Sequence, residues 1–417
     1  AFTWRSREDL TIDTRTATEY GVVRTFAETV FTWTSGGYAG LGGGATAYTA
    51  APPGTSGTGA VSGGQLGVYY AFIQFAGFTM GKAASQFSTP WGNYLGNNLY
   101  DGLVGGGGAL TGVNQFTYTA EFGNGISGSI GIQDPSAYYQ AGILNLGVAP
   151  TAIFGTANFG YGAIDDGGTT VPDIVGQLRL DQAWGLVQAS VAAHDNNAAY
   201  YGATQDTGGP GDKWGWAGQL GLLFKNIPTG AGDTIDVQGV YTNGATRYNI
   251  QDLAAAAGVN TIYTGTTGIG IGFAPDAVFG PGGQIQLVST WGMRGAFNHN
   301  WNPYWSSSVF GAYASVRYNG AAKGLMCGVG GTVTTVLGAG VTTCNPDYNI
   351  GQIGANLRWT PVKNLAFATE AVYTMLDQKC AGVANFAAAD ALGKPAGNYT
   401  LKDQNTWTVM FRAQRSW

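Results

Sequence analysis

The chain closes on TWTVMFRAQRSW, Thr406 to Trp417, and the reading of that stretch decides the fold. Every second residue from Trp407 gives Trp407, Val409, Phe411, Ala413, Arg415 and Trp417; between them stand Thr408, Met410, Arg412, Gln414 and Ser416. A period of two marks a β-strand whose faces meet different surroundings. A Trp in the last position has no further chain to cover it, so a partner surface or lipid must cover that face.

Composition narrows the choice. Charged residues make up 10% of the 417 residues, where about 25% is usual for a soluble globule. Aromatics reach 13%, which does not suit a disordered chain, and the 70 glycines follow no G-X-Y period, which removes collagen. A net charge of −5 without any Lys/Arg run argues against nucleic acid as a partner. The most apolar run, 66–81, is short of the roughly 20 residues of a spanning helix and is broken by Gln74 and an Ala-Gly pair. What remains is a transmembrane β-barrel or a Gly-rich secreted β-protein. The opening Ala1 to Arg5 lacks the basic and apolar regions of a signal peptide, as expected of a mature form or a piece of one.

Alternation recurs along the chain. Phe116, Tyr118, Ala120 and Phe122 oppose Gln115, Thr117, Thr119 and Glu121; Ile353, Ala355, Leu357 and Trp359 oppose Gln352, Gly354, Asn356 and Arg358. Connections between strands alternate short and long. Short ones fall at 19–21, 76–77, 123–125, 181–183, 226–233, 302–303 and 361–364. Long ones, rich in Gly, Ser, Thr, Asn and Pro, fall at 34–64, 83–113, 134–171, 195–213, 243–283, 319–346 and 377–403. The chain thus reads as all-β, a single antiparallel barrel over 1–417 with fifteen visible strands. Short periplasmic turns and long extracellular loops are the habit of bacterial outer-membrane barrels, which have even strand numbers. The expectation is sixteen strands, with the first one lying before Ala1.

At this point the residues resemble a known family. YYAFIQFAGFTMGKAASQF, 69–87, resembles the strand-turn-strand that leads into the constriction loop of Gram-negative general porins. GVVRTFAETVFTW, 21–33, and the terminal strand resemble the porins of rhizobial and Brucella-type alphaproteobacteria. The resemblance spans essentially the whole chain and is weakest in the long loops; porins of this type usually end in Phe, where this chain has Trp417. It implies a homotrimer of sixteen-stranded barrels in the bacterial outer membrane, surrounded by lipid and lipopolysaccharide. It also implies that the third long loop, 83–113, folds into the lumen. The expected function is passive diffusion of small hydrophilic solutes and ions through a water-filled pore; a barrel of this size leaves an aqueous channel. A substrate-specific channel of the sugar type and a secreted adhesive β-protein are the alternatives.

A pore needs polar walls and a transverse field rather than a catalyst. Period two turns Arg5, Arg7, Asp9, Asp13 and Arg15 to one face, with Glu8 the exception, and places Arg24, Phe26 and Glu28 together on the next strand. Lys82 stands where a strand enters the folded loop, and Asp101 is the loop's sole acid. The constriction candidates are therefore Arg5, Arg7, Arg15, Arg24, Glu28, Lys82 and Asp101. Arg5, Arg7 and Lys82 are expected on the wall opposite the loop, and Arg15 and Arg24 nearer the periplasmic mouth. The competing reading is that these arginines solvate the lumen and pair with Asp9, Asp13 and Glu28. A loop with one acid suggests weak selectivity leaning toward anions.

Trp33, Trp359 and Trp417 fall near strand ends, where amphipathic rings favour the bilayer interface. Cys327 and Cys344 share one long loop and Cys380 lies in the next. An oxidising periplasm allows a 327–344 bridge that would stabilise the loop by roughly 3 kcal/mol, and Cys380 could instead pair with either or with a residue of the expected strand before Ala1. His194 and His299 are far from any cysteine, so neither metal nor cofactor is expected. GGGG at 105–108 lacks the Lys-Ser/Thr of a phosphate cradle, and no nucleophile elbow is present, so the chain is not expected to be an enzyme.

Overall fold

The structure is a computed structural model that describes residues 4–34, 65–92, 94–108, 111–136, 138–146, 163–164, 167–199, 210–251, 260–264, 268–280, 283–328, 331–386 and 395–417. Fifteen of its strands form one sheet in which each pairs with its sequence neighbour. They are β1 (Arg5–Thr18), β2 (Gly21–Thr34), β3 (Gln65–Phe75), β4 (Phe78–Ala83), β5 (Val113–Gly123), β6 (Ile126–Gln133), β7 (Asp173–Gln182) and β8 (Gly185–Asn196). The series continues with β9 (Lys213–Lys225), β10 (Thr234–Asn243), β11 (Ser289–Asn302), β12 (Trp305–Arg317), β13 (Tyr348–Val362), β14 (Leu365–Gln378) and β15 (Gln404–Arg415). Every pairing in it is antiparallel. The expected alternation of connections holds: 19–20, 76–77, 124–125, 183–184, 226–233, 303–304 and 363–364 are short, and the seven between them are long.

Local chemistry sets the tight turns. Ala76-Gly77 and Asn124-Gly125 both take positive φ at the two central residues, the pattern of a two-residue turn whose twist matches its flanking strands. A Cβ on Gly125 would sit 1.9 Å from the Asp181 carbonyl oxygen, so the position admits no larger residue without movement.

The two faces of the sheet are inverted relative to a soluble protein. Leu10, Ile130, Leu178, Val191, Leu220, Val309, Ile353 and Phe411 are exposed, while Gln115, Gln177, Gln188, Gln219, Gln238, Gln352 and Asn356 are buried. Apolar groups outside and amides inside are stable only where lipid lies outside and the inner face is polar. Rings bracket this apolar band at both ends. Trp184 with Phe224, Trp305 with Trp359 and Trp359 with Phe367 pair near the short turns, at centroid distances of 6.0, 5.8 and 5.6 Å. Trp216 with Tyr241, Trp291 with Tyr313 and Tyr373 with Trp407 pair toward the long loops, at 5.2, 5.1 and 5.1 Å. Trp216 and Phe224 share a face of β9, eight residues apart in the strand, or about 26 Å along it. These are the two aromatic girdles of a transmembrane β-barrel. Trp359 belongs to the short-turn girdle; Trp417 is 85% exposed beyond β15. Trp33 lies on β2, and its side chain is outside the described ones.

Leu220, midway between the girdles on β9, supplies a test of the lipid face. Leu220→Arg should destabilise the folded barrel by about 2–4 kcal/mol if that residue meets the bilayer midplane. Urea unfolding in lipid vesicles measures this. A loss below about 1 kcal/mol would mean that something other than lipid covers the strand.

The long-loop end is more ordered than loop composition predicts. Parts of three long connections, 244–288, 318–347 and 379–403, join in a second sheet of five short strands. Segments of 134–172 and 244–288 join in a third of four. Ile269, Phe273, Met326, Leu337, Tyr348, Leu376 and Leu401 pack as an apolar core beneath the five-stranded sheet. Two helices, α1 (Gly320–Cys327) and α2 (Thr332–Leu337), lie in a stretch read as plain loop from sequence. Cys327 and Cys344 are joined in a disulfide with Cα atoms 5.6 Å apart, and Cys380 is a buried free thiol.

Candidate functional site

The segment between β4 and β5, residues 84–112, bonds to strands far from its own place in the sheet. Ser85 Oγ donates to Gln133 Oε1 of β6 at 2.6 Å. Gln188 of β8 and Gln219 of β9 then donate to backbone carbonyls at Ser88 and Phe87, at 3.0 and 2.9 Å. Thr89 donates to Gln238 of β10 at 2.7 Å, and Arg294 of β11 to the Gly92 carbonyl at 2.7 Å. Asn356 of β13 donates to the Gly96 carbonyl at 3.0 Å. Farthest along, Glu370 of β14 accepts backbone N–H groups of Leu99 at 2.7 Å and Tyr100 at 2.9 Å. The chain returns through Gln352 of β13, which accepts from the Val104 N–H at 2.9 Å and donates to the Gly102 carbonyl at 2.9 Å. Inward amides suit this task because each offers both donor and acceptor to whatever backbone passes. Glycine permits the close approach: a Cβ on Gly105 would lie 2.4 Å from the Met293 carbonyl oxygen.

This path runs along the wall from β6 to β14. Polar side chains of β1 and β15 face the segment's charged residue instead of anchoring its backbone. Arg5, Arg7 and Arg412 all act on Asp101, and Arg412 also interacts with Arg358, Tyr94 and Glu370. Burial pushes the Asp101 carboxyl above its ordinary value, while the three guanidiniums pull it back down. Arg7 lies over the Tyr69 ring at 5.6 Å, and Glu28 lies in the field of Asp9 and Arg7. Nearer the short turns, Arg24 grips Asp13 through two bonds of 2.9 and 3.0 Å and donates to Gln74 at 3.0 Å; Arg15 reaches Asp13 at 3.2 Å. Arg24 also covers Phe26 and Phe72, which stack at 5.1 Å.

The residues expected from sequence therefore separate into three places. Arg5, Arg7, Glu28 and Asp101 are brought together. Arg15 and Arg24 form a second, ion-paired cluster with Asp13. Lys82 joins neither, which corrects its assignment to the lumen wall. Thr79 meets Gln74, the partner of Arg24, so strand parity puts Lys82 on the opposite face with Phe78 and Met80. There it pairs across the sheet with Ala71 and Asn114 and donates to the Val68 carbonyl at 2.6 Å. Sequence reasoning missed three members: Arg358, Arg412 and Glu370. Alternation in the last strands was their only signal.

Residues 2–410 match a family model described as the porin subfamily. No curated protein matches the chain in sequence. Among solved structures, the chain is similar to the outer membrane channel DcaP of Acinetobacter baumannii, with 15% identity, a TM-score of 0.53, and 97% of this chain and 84% of that one covered. An anion-selective porin from Comamonas acidovorans aligns over 100% of both chains at 9% identity with a TM-score of 0.44. OmpF of Salmonella typhi, solved with daunomycin, aligns over 99% of this chain and 94% of that one at 10% identity, with a TM-score of 0.43. At 15% identity the likeness to the first is one of fold alone.

Proposed function

This chain belongs to the porin subfamily, and on that premise we propose that it forms a weakly anion-preferring pore in a homotrimer of the rhizobial and Brucella type, with 84–112 as its constriction loop. The family makes it an outer-membrane channel for passive diffusion, rather than an enzyme. Lipid and lipopolysaccharide surround the barrel, and small hydrophilic solutes cross it.

One observation carries the choice of sign. Asp101 is the single Asp, Glu, Lys, Arg or His of the segment 84–112, and Arg5, Arg7 and Arg412 converge on it. Burial weakens its negative charge further, so the guanidinium wall outweighs the loop. A transverse field with one strong side attracts anions and repels cations as they pass. The preference is weak because Asp9, Glu28 and Glu370 share the lumen face with these arginines.

Reversal potentials in planar bilayers under a potassium chloride gradient test this directly. The expected sign is that of chloride preference, shrinking as salt rises and screening shortens the field. A clear potassium preference overturns the reading.

A further inference from the structure

A buried acid–base cluster at the long-loop end has no part in the passage described above. His194, near the end of β8, sits between two carboxylates. Its Nδ1 lies 2.7 Å from Asp173 Oδ1 of β7, and its Nε2 lies 3.6 Å from Asp276 Oδ2 in 244–288. All three residues are almost fully buried. A neutral imidazole has one N–H, so only the protonated ring offers a proton to both carboxylates. Tyr248 donates to the other oxygen of Asp173 and accepts from Gln133 of β6 at 2.9 Å.

Asp276 is also the anchor of a short turn. Its Oδ1 accepts from the Thr246 N–H and hydroxyl, both at 2.6 Å, and its Oδ2 from the Ala141 N–H at 2.5 Å. Residues 246–251 in turn grip both arms of 84–112. On the outgoing arm, the Tyr248 ring packs on Phe87 at 4.6 Å and on Tyr139 at 4.4 Å, and the Tyr139 hydroxyl meets Ser88 at 3.0 Å. On the returning arm, the N–H groups of Gly105 and Gly106 donate to the Asn249 carbonyl at 3.1 Å, and Gly108 N–H donates to Gln251 at 3.1 Å. Arg247 ties the carbonyls of Gln140 and Gln251 together, at 3.2 Å each.

We propose that the His194–Asp276 pair is an acid-released clamp: intact, it fixes both arms of the constriction loop, and its protonation frees 246–251 and lets the pore gate. The proposal rests on 84–112 being the constriction. The groups that face the imidazole are Asp173 from β7 and Asp276 from 244–288, with Tyr248 and Tyr139 next outward. Burial alone would raise the Asp276 carboxyl, but the neighbouring His194 cation, with the bonds from Thr246 and the Ala141 N–H, holds it below its ordinary 3.8. A lowered carboxylate stabilises the clamp fully above that ordinary value, and the stabilisation is lost as pH falls through the lowered one.

Single-channel currents of the full protein in planar bilayers, from about pH 7 to about pH 3, test the clamp. The wild type should gain a distinct switching between levels as the pH falls below 3.8, beyond any added noise from protonation of the Glu370 anchor at Leu99 and Tyr100. His194→Gln removes the cation that helps keep Asp276 ionised, so Asp276 takes up its proton at a higher pH. Its switching should begin about one pH unit or more higher. His299→Gln, which breaks the 2.7 Å pair with Asp233 at the turn 226–233, should keep the wild-type onset. Steady wild-type current throughout overturns the clamp, as does an unchanged onset in His194→Gln. Should that variant fail to yield a heat-modifiable barrel, Thr246→Val, which removes the hydroxyl bond to Asp276, should likewise raise the onset, and an unchanged onset there overturns the clamp. An absence of any channel at neutral pH would instead defeat the pore reading on which the clamp rests.

Discussion

Glu370→Ala is expected to give a wider and noisier pore in a barrel that still folds. Glu370 is 1% exposed, and its carboxylate accepts the N–H groups of Leu99 and Tyr100, 271 and 270 positions away in sequence. Hydrogen bonds to a charged group contribute about 1.5–3 kcal/mol each, so their loss loosens the loop's far end by roughly 3–6 kcal/mol. At about 1.4 kcal/mol per factor of ten, a detached loop end passes from rare to readily observed. The barrel itself is held by its strand ladder and lipid face, neither of which the substitution touches. Mean single-channel current should rise, with excess noise, while heat-modifiability on gels stays as in the wild type. Glu370→Gln keeps one acceptor oxygen and should fall between the two. A current trace like that of the wild type would mean that the loop is held without this carboxylate.

Why Glu370 escaped a reading of the sequence, when the barrel did not, is a matter of range. Strand alternation and connection length are local, and they put the fifteen strands and fourteen connections where the structure has them. The same parity placed Arg5, Arg7 and Asp9 on one face, and Arg358 opposite Leu357 and Trp359. Which of these inward charges meet the loop depends on how 84–112 runs past β8 to β14, and no periodicity records that path. Lys82 went astray for the opposite reason. Nearness to the loop in sequence points it inward, whereas parity, fixed by Phe78 and Met80, puts it outside. The ordered long-loop end was hidden because Gly-rich stretches such as 268–273 resemble loops until their neighbours pair with them.

Arg412→Glu should produce the largest change in selectivity, carrying the pore from anion to cation preference. Arg412 stands on the inward face of β15, opposite the exposed Phe411, and interacts with Arg358, Tyr94, Asp101 and Glu370. The substitution exchanges a positive for a negative charge at the point where the guanidinium wall faces Asp101. Arg5 and Arg7 then stand against Asp101 and the new carboxylate together, and Asp9 and Glu28 decide the balance. In a narrow, partly desolvated lumen such charges are screened less than on an open surface, so one reversal suffices to change the sign of the reversal potential. Lys82→Glu makes the same change in formal charge on the outer face of β4 and should leave the reversal potential unaltered. The two variants separate a local field at the constriction from an effect of net charge. If both shift the potential equally, selectivity arises from the overall charge of the barrel, and the Arg412–Asp101 contact has no special part in it.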